Sequence, residues 1–125
     1  MYLKVENIKK YYGQGENKIE VLRGIDCGVE KGEMCVMLGP SGSGKSTLLN
    51  LIGGIEHIDG GHILVGDTDL SKLSRKELAL YRRNTLGFIF QFYHLVPNLT
   101  VKENIESGAY LSKNPISVEE LMETL

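Results

Sequence analysis

Apolar and polar residues alternate along the first part of the chain, and this alternation predicts β-strands. It covers Leu3–Ile8 and again Ile19–Val29, so each segment is expected to bury one face in a sheet. The composition of Gly13–Asn17 predicts a turn between the two strands, and Lys31–Glu33 predicts the next turn. A third, short strand is expected at His62–Val65.

Two further segments are apolar without alternation, which predicts strands buried on both faces. Met34–Leu38 is apolar at every position, and Leu86–Phe90 is nearly so. Such strands are typical of the middle of a parallel sheet, where neighbouring strands and helices cover them. Cys35 lies inside the first segment and is therefore expected to be a small buried apolar residue.

Helices are predicted where apolar spacing follows a capping signal. Leu48–Ile52 suits a buried helix that ends at Gly53, because glycine commonly follows the last helical turn. Three other segments have Ser or Thr followed by Glu three residues later, which is the spacing of a capping box. They are Ser74–Glu77, Thr100–Glu103 and Ser117–Glu120.

The segment between the first apolar strand and the first helix matches the phosphate-binding pattern G-x-x-x-x-G-K-[ST]. Its members are Gly39, Pro40, Ser41, Gly42, Ser43, Gly44, Lys45, Ser46 and Thr47. The glycines permit backbone conformations that turn N–H groups inward, and the helix that follows adds its positive dipole end. The alternative is a glycine- and serine-rich connection without a ligand, which the strand–loop–helix context disfavours.

Each side chain at the end of this pattern has a chemical role in nucleotide binding. Lys45 supplies a positive charge for the β- and γ-phosphates of a nucleoside triphosphate. The Ser46 hydroxyl is a suitable oxygen ligand for Mg²⁺, and Thr47 is suited to hydrogen-bond an α-phosphate oxygen.

Composition excludes several other classes of function. The chain has 125 residues, which suggests one domain, and its 14 basic and 16 acidic residues give a net charge of −2. A charge so near zero predicts no broad nucleic-acid surface, so no nucleic-acid partner is expected. No signal peptide or membrane-spanning run is expected. Two cysteines make no disulfide framework, and the three histidines have no metal-ligand spacing.

The phosphate-binding pattern and its surroundings closely resemble the ATP-binding subunits of ABC transporters, over essentially the whole chain. The resemblance rests on Gly39–Asn50 and on Gly87–Asn104, and Ile52–Ile55 with Phe90–Pro97 is similar to the lipoprotein-releasing and macrolide-export branch. It implies an α/β fold: a P-loop NTPase core with an N-terminal antiparallel β subdomain, truncated after the Q-loop. Residues 1–125 would then be the N-terminal part of a single nucleotide-binding domain.

The resemblance also implies two functional residues outside the phosphate-binding loop. Gln91 resembles the Q-loop glutamine, whose amide reaches Mg²⁺ or the attacking water, and together with Lys45 it is the predicted catalytic group. The alternative for Gln91 is an exposed glutamine at a strand end. Tyr12 resembles the aromatic residue that stacks on adenine. Tyr11 is adjacent, so the register stays open, and packing on the first sheet is an alternative for both tyrosines.

Three elements of the resembled family are absent from this sequence: the signature loop, the Walker B strand and the switch histidine. The acidic residues Asp59, Asp67 and Asp69 do not follow an apolar strand and do not replace the Walker B carboxylates. The piece is therefore expected to hold a phosphate cradle without a general base, and so to bind ATP without turning it over.

The leading functional expectation is the energy-coupling ATPase subunit of an ABC exporter or extractor that moves lipoproteins, peptides or hydrophobic drugs. Its expected cofactors are ATP and Mg²⁺. Its expected partners are a membrane permease and a second ATP-binding subunit, at the cytoplasmic face of the membrane. The alternatives are a nucleotide-binding module without turnover and another P-loop enzyme. A GTPase would need an Asn-Lys-x-Asp stretch, which is missing, and a small-molecule kinase would need an arginine-rich lid, for which Arg82 and Arg83 are scant support.

Overall fold

The first part of the chain folds around a four-stranded antiparallel sheet. A computed structural model describes residues 1–125 and divides them into two compact units, Met1–Arg82 and Arg83–Leu125. The sheet lies in the first unit and has the strand order β2-β1-β3-β4. Its strands are β1 (Leu3–Tyr12), β2 (Ile19–Val29), β3 (Gly60–Val65) and β4 (Thr68–Asp69).

A bulge in β1 changes which residues face the core. Before the bulge Val5 is buried, whereas after it Ile8 and Lys10 are buried, so the inward positions change from odd to even numbers. The pairing of β1 with β2 shifts between Val5 and Ile8, and it shifts again between Ile8 and Lys9 and between Lys10 and Tyr11. Because side chains in a strand point alternately to opposite faces, this extra residue places Tyr12 in phase with the buried positions.

The bulge is fixed by contacts around Asn7, whose φ of +48° lies in the left-handed region. Its backbone N–H donates a hydrogen bond of 2.8 Å to the carboxylate of Asp26. Across the pairing with β3, a Cβ on Gly61 would lie 2.3 Å from the carbonyl oxygen of Asn7. Only glycine fits such an approach, so Gly61 allows β3 to pair beside the bulge.

Two helices lie wholly or mainly in the first unit, and one closes the end of the other. Helix α1 spans Lys45–Ile52 and helix α2 spans Arg75–Asn84. The buried hydroxyl of Tyr81 donates to the carbonyl of Ile52 at 2.8 Å, and the guanidinium of Arg82 donates to the carbonyl of Gly54. These bonds satisfy backbone carbonyls at the end of α1 that have no partner within the helix.

The second unit contains two helices, α3 (Val101–Ala109) and α4 (Val118–Thr124). Thr100 and Glu103 form a reciprocal capping box at the start of α3. The Asn104 side chain accepts a hydrogen bond of 2.8 Å from the N–H of Val96, and its amide donates to carbonyls of the same loop. Between the helices, the Lys102 ammonium lies 2.8 Å from the carboxylate of Glu119.

Most of the predicted elements are present. The strand at Ile19–Val29 has the predicted bounds, the first strand continues beyond Ile8 to Tyr12, and β3 contains the third. Helix α1 ends before Gly53 as predicted. Ser74 and Glu77 form both bonds of a capping box, whereas at Ser117 only the bond from the Glu120 N–H to the Ser117 hydroxyl is present. None of the helices has the length and apolar character needed to cross a bilayer.

The two predicted core strands are wrong. Neither Met34–Leu38 nor Leu86–Phe90 forms a strand, and both segments are largely exposed: Met34 is 93% exposed and Ile89 98%. Cys35 is also exposed, which corrects its predicted burial. A strand that is apolar on both faces forms only where other strands offer backbone partners. The four strands present pair with one another and leave these segments without a neighbour.

Tyr81 should make the stability of the first unit depend on pH above 10. Burial raises the pKa of Tyr81 to about 12, from 10.0 for a free side chain. Its contribution is therefore complete below pH 10 and is lost as the pH rises toward 12, because the unfolded chain ionises first. Compared with Tyr81→Phe, the wild type should lose about 1 kcal/mol of unfolding free energy between pH 8 and 11, measured by urea denaturation.

Tyr110→Phe is the matched control, since Tyr110 is 77% exposed in the second unit. It should leave the pH dependence of the wild type unchanged. A constant difference between wild type and Tyr81→Phe across this pH range would contradict the role assigned to Tyr81.

Candidate functional site

The loop before α1 leaves the first turn of that helix open to an anion. Gly42 and Gly44 have φ values of +79° and +94°, a region that favours glycine. Gly44 occupies the N-cap position, and no side chain caps the helix there. A Cβ on Gly44 would lie 2.8 Å from the Leu22 side chain, so the loop packs directly on β2. The unpaired N–H groups and the helix dipole together favour a phosphate at this place.

The Lys45 ammonium folds back over the same loop and binds only neutral oxygen atoms. It donates to the carbonyls of Gly39 and Pro40, the latter at 2.8 Å, and lies 3.4 Å from the Ser43 hydroxyl. Because no carboxylate neutralises this charge, phosphate oxygens can replace the carbonyls with a net electrostatic gain. The residues present therefore fit a nucleoside triphosphate.

The predicted Mg²⁺ ligands are divided between the two units. Ser46 is exposed in the first turn of α1, where its hydroxyl offers one hard oxygen ligand. Gln91 is exposed in the second unit, so the joint role predicted for Ser46 and Gln91 stays a prediction. Nowhere in residues 1–125 do three or more histidine, cysteine or acidic side chains form a metal-binding group. The residues present fit a Mg²⁺ ion that takes most of its oxygen ligands from the nucleotide and water.

Tyr12 lies near α1, and its hydroxyl donates a hydrogen bond to the carboxylate of Glu56, a residue that follows this helix. Burial and the bond to Glu56 raise the pKa of Tyr12, while Thr47 acts in the opposite direction. Thr47, which belongs to the phosphate-binding pattern, is close enough to Tyr12 to affect this pKa, and adenine stacking by Tyr12 stays a prediction.

Tyr11 is on the opposite face of β1 and has different partners. The ammonium of Lys18 lies 4.3 Å from the centre of its ring, and its backbone N–H donates to Asp59 at 2.8 Å. The bulge at Asn7 sets this difference, because it puts Tyr12 and not Tyr11 on the side of α1.

One protein-family model matches most of the chain. The family model described as ABC transporter matches residues 22–125. The chain belongs to the ABC transporter family. This confirms the resemblance read from the phosphate-binding loop and from the residues around Gln91.

Curated relatives in the ABC transporter family match most of this chain. The bacitracin export ATP-binding protein of Halalkalibacterium halodurans is 49% identical over 90% of this chain and 45% of its own length. The lipoprotein-releasing system ATP-binding protein of Alcanivorax borkumensis is 43% identical over 82% of this chain and 45% of its own length. The chain therefore spans less than half the length of these relatives.

A solved structure of an ATP-binding cassette has the same fold as this chain. The dimeric, post-hydrolysis state of the ATP-binding cassette MJ0796, bound to ADP and Pi, superposes with a TM-score of 0.83 and 36% identity. The match covers 94% of this chain and 51% of that chain. It confirms the predicted fold class of an ABC ATPase cassette with an antiparallel sheet.

Two residues of the site were missed from the sequence, Lys10 and Glu56. Lys10 is only 8% exposed, and its ammonium donates to the carbonyl of His57 at 2.7 Å and lies 3.5 Å from the Asp59 carboxylate. With Tyr12 and Glu56 it lines a cleft of about 470 Å³. The available signal was the pair of acidic residues Glu56 and Asp59 after Gly53. Without the bulge, the sequence does not show that Lys10 and Tyr12 share a face of β1.

A second polar cluster in the same unit resembles a hydrolase triad in composition only. The Nδ1 atom of His62 lies 3.0 Å from the Asp69 carboxylate and 2.9 Å from the Ser71 hydroxyl, which itself donates to Asp69 at 2.6 Å. In a nucleophilic triad the carboxylate and the hydroxyl bind different nitrogens of the ring. This cluster therefore stabilises the turn after β4 and gives no activated nucleophile.

Proposed function

We propose that the chain binds MgATP at residues 39–47 and acts as part of the ATP-binding, energy-coupling subunit of an ABC transporter. The observation that carries the proposal is the uncapped N-terminus of α1 beside an ammonium, that of Lys45, which binds only neutral oxygens. Family membership and the likeness to a cassette bound to ADP and Pi support the same nucleotide site.

Within this proposal each site residue has a defined role. Lys45 and the loop N–H groups bind the β- and γ-phosphates, Thr47 binds the α-phosphate, and Ser46 ligates Mg²⁺. Gln91 reaches the metal or the attacking water and is catalytic together with Lys45. Tyr12 stacks on the adenine ring, with the rest of the loop, from Gly39 to Gly44, enclosing the phosphates.

The proposed partners are a membrane permease and a second ATP-binding subunit, with the chain peripheral at the cytoplasmic face of the membrane. Relatives named for bacitracin export and lipoprotein release support coupling to a permease that moves peptides, lipoproteins or hydrophobic drugs. The dimeric form of the similar cassette supports a paired ATP-binding subunit.

Lys45→Ala should abolish nucleotide binding, because it removes the only positive side chain of the cradle. We expect at least a tenfold loss of MgATP affinity by isothermal titration calorimetry, which corresponds to about 1.4 kcal/mol. Lys72→Ala is the control, since Lys72 is 75% exposed and its removal changes the net charge equally. Unchanged affinity in Lys45→Ala would contradict the assignment of the cradle.

The second candidate function is nucleotide binding without turnover. It requires only the binding site, where neutral oxygens surround the Lys45 ammonium, and it concerns the 125 residues by themselves. The 125-residue chain should bind MgATP and release phosphate no faster than the background, in a coupled phosphate assay. Steady release that disappears in Lys45→Ala would contradict this candidate and show that the 125 residues suffice for hydrolysis.

Tyr12→Ala should weaken ATP more than inorganic triphosphate, because only ATP carries a base for stacking. Stacking between an aromatic side chain and a base contributes about 1–3 kcal/mol, so a loss of about fivefold or more is expected for ATP alone. Tyr11→Ala is the matched control, and it should leave the ratio of the two affinities unchanged. An equal loss of both ligands in Tyr12→Ala would argue against stacking.

A further inference from the structure

The Tyr12 ring is held at its hydroxyl end by a short chain of polar contacts. One oxygen of the Glu56 carboxylate accepts the hydrogen bond from Tyr12, and the other lies 3.4 Å from the side-chain amide of Asn50. Tyr12 is thus linked to α1 through Glu56 and Asn50.

The position of Glu56 is itself set by the end of α1. The backbone N–H groups of Ile55 and Glu56 both donate to the carbonyl of Asn50, at 2.9 and 3.4 Å. Asn50 therefore holds Glu56 with its backbone carbonyl and lies within 3.4 Å of it with its side-chain amide. The helix that begins at the phosphate-binding loop accordingly carries the support of the tyrosine.

The ring of Tyr12 is restrained but not covered. The ammonium of the buried Lys10 lies 5.4 Å from the ring centre, within range of a cation–π contact. Tyr12 nevertheless stays 39% exposed, so part of the ring is open to a ligand. A side chain with its hydroxyl fixed and its ring accessible is pre-organised for stacking.

We propose that Glu56 is a positioning residue, which fixes the Tyr12 ring at the orientation in which it stacks on the base of a nucleotide held at residues 39–47. This inference rests on the proposed function and adds to it a residue that never touches the phosphates. Glu56 acts through Tyr12, so its removal affects ligands that carry a base and spares those that do not.

The test compares two probes, MgATP and magnesium inorganic triphosphate, by calorimetric titration of the whole chain. Glu56→Ala should weaken ATP about three- to tenfold and leave triphosphate within about twofold. Tyr12→Phe, which keeps the ring and loses the hydroxyl, should have the same effect. The double variant Glu56→Ala/Tyr12→Phe should bind ATP no more weakly than either single variant, because both substitutions remove the same hydrogen bond.

Glu56→Gln serves as the conservative variant, since its amide oxygen still accepts a hydrogen bond from the tyrosine. It should restore the ratio of ATP to triphosphate affinity to within about twofold of the wild type. Asp67→Asn is the charge control, because Asp67 is exposed in the turn between β3 and β4. Asp67→Asn should leave that ratio unchanged, because the loss of a negative charge by itself affects the binding of both probes alike.

Failure of the proposed function and failure of the positioning role of Glu56 give different results. If Lys45→Ala leaves ATP binding intact, or the wild type binds neither probe, the proposed function is wrong and this inference falls with it. If Lys45→Ala abolishes binding and Tyr12→Ala selectively weakens ATP, but Glu56→Ala weakens both probes equally or neither, the positioning role alone is wrong. Additive losses in the double variant would also overturn it.

Discussion

The bulge at Asn7 is the constraint on which the candidate site depends. It shifts the inward face of β1 by one residue, so that Ile8, Lys10 and Tyr12 point toward the same side. The bond from Asn7 to Asp26 and the close approach of Gly61 hold the shift in place. Without this extra residue an unbroken alternation from Val5 would present Tyr11 to α1 instead.

Helix α1 begins at the phosphate-binding loop and is anchored at both ends. Its start packs through Gly44 on the sheet, and its end is closed by the hydroxyl of Tyr81. The open N–H groups and the Lys45 ammonium then lie in the same loop, where the ammonium binds only neutral oxygens. The fixed backbone thus concentrates positive potential where an anion is expected, before any ligand binds.

The sequence predicted local features better than those that depend on distant partners. The bounds of Ile19–Val29 and the capping box at Thr100 follow from side-chain alternation and from contacts three residues apart, so both were predictable. The strand at Met34–Leu38 required neighbours that none of the four strands supplies, and apolar composition alone does not reveal their absence. The choice between Tyr11 and Tyr12 stayed open because the single break in alternation, between Val5 and Ile8, was not taken as a bulge.

The most direct test of the cradle is the response of its backbone amides to a phosphate ligand that has no base. Magnesium inorganic triphosphate, titrated into the ¹⁵N-labelled chain, should shift the amide resonances of Gly42, Gly44 and residues 45–47 more than any others. This result is predicted because those N–H groups lack intramolecular acceptors at the start of α1. Unchanged amides in this segment, with shifts elsewhere or none at all, would contradict the account.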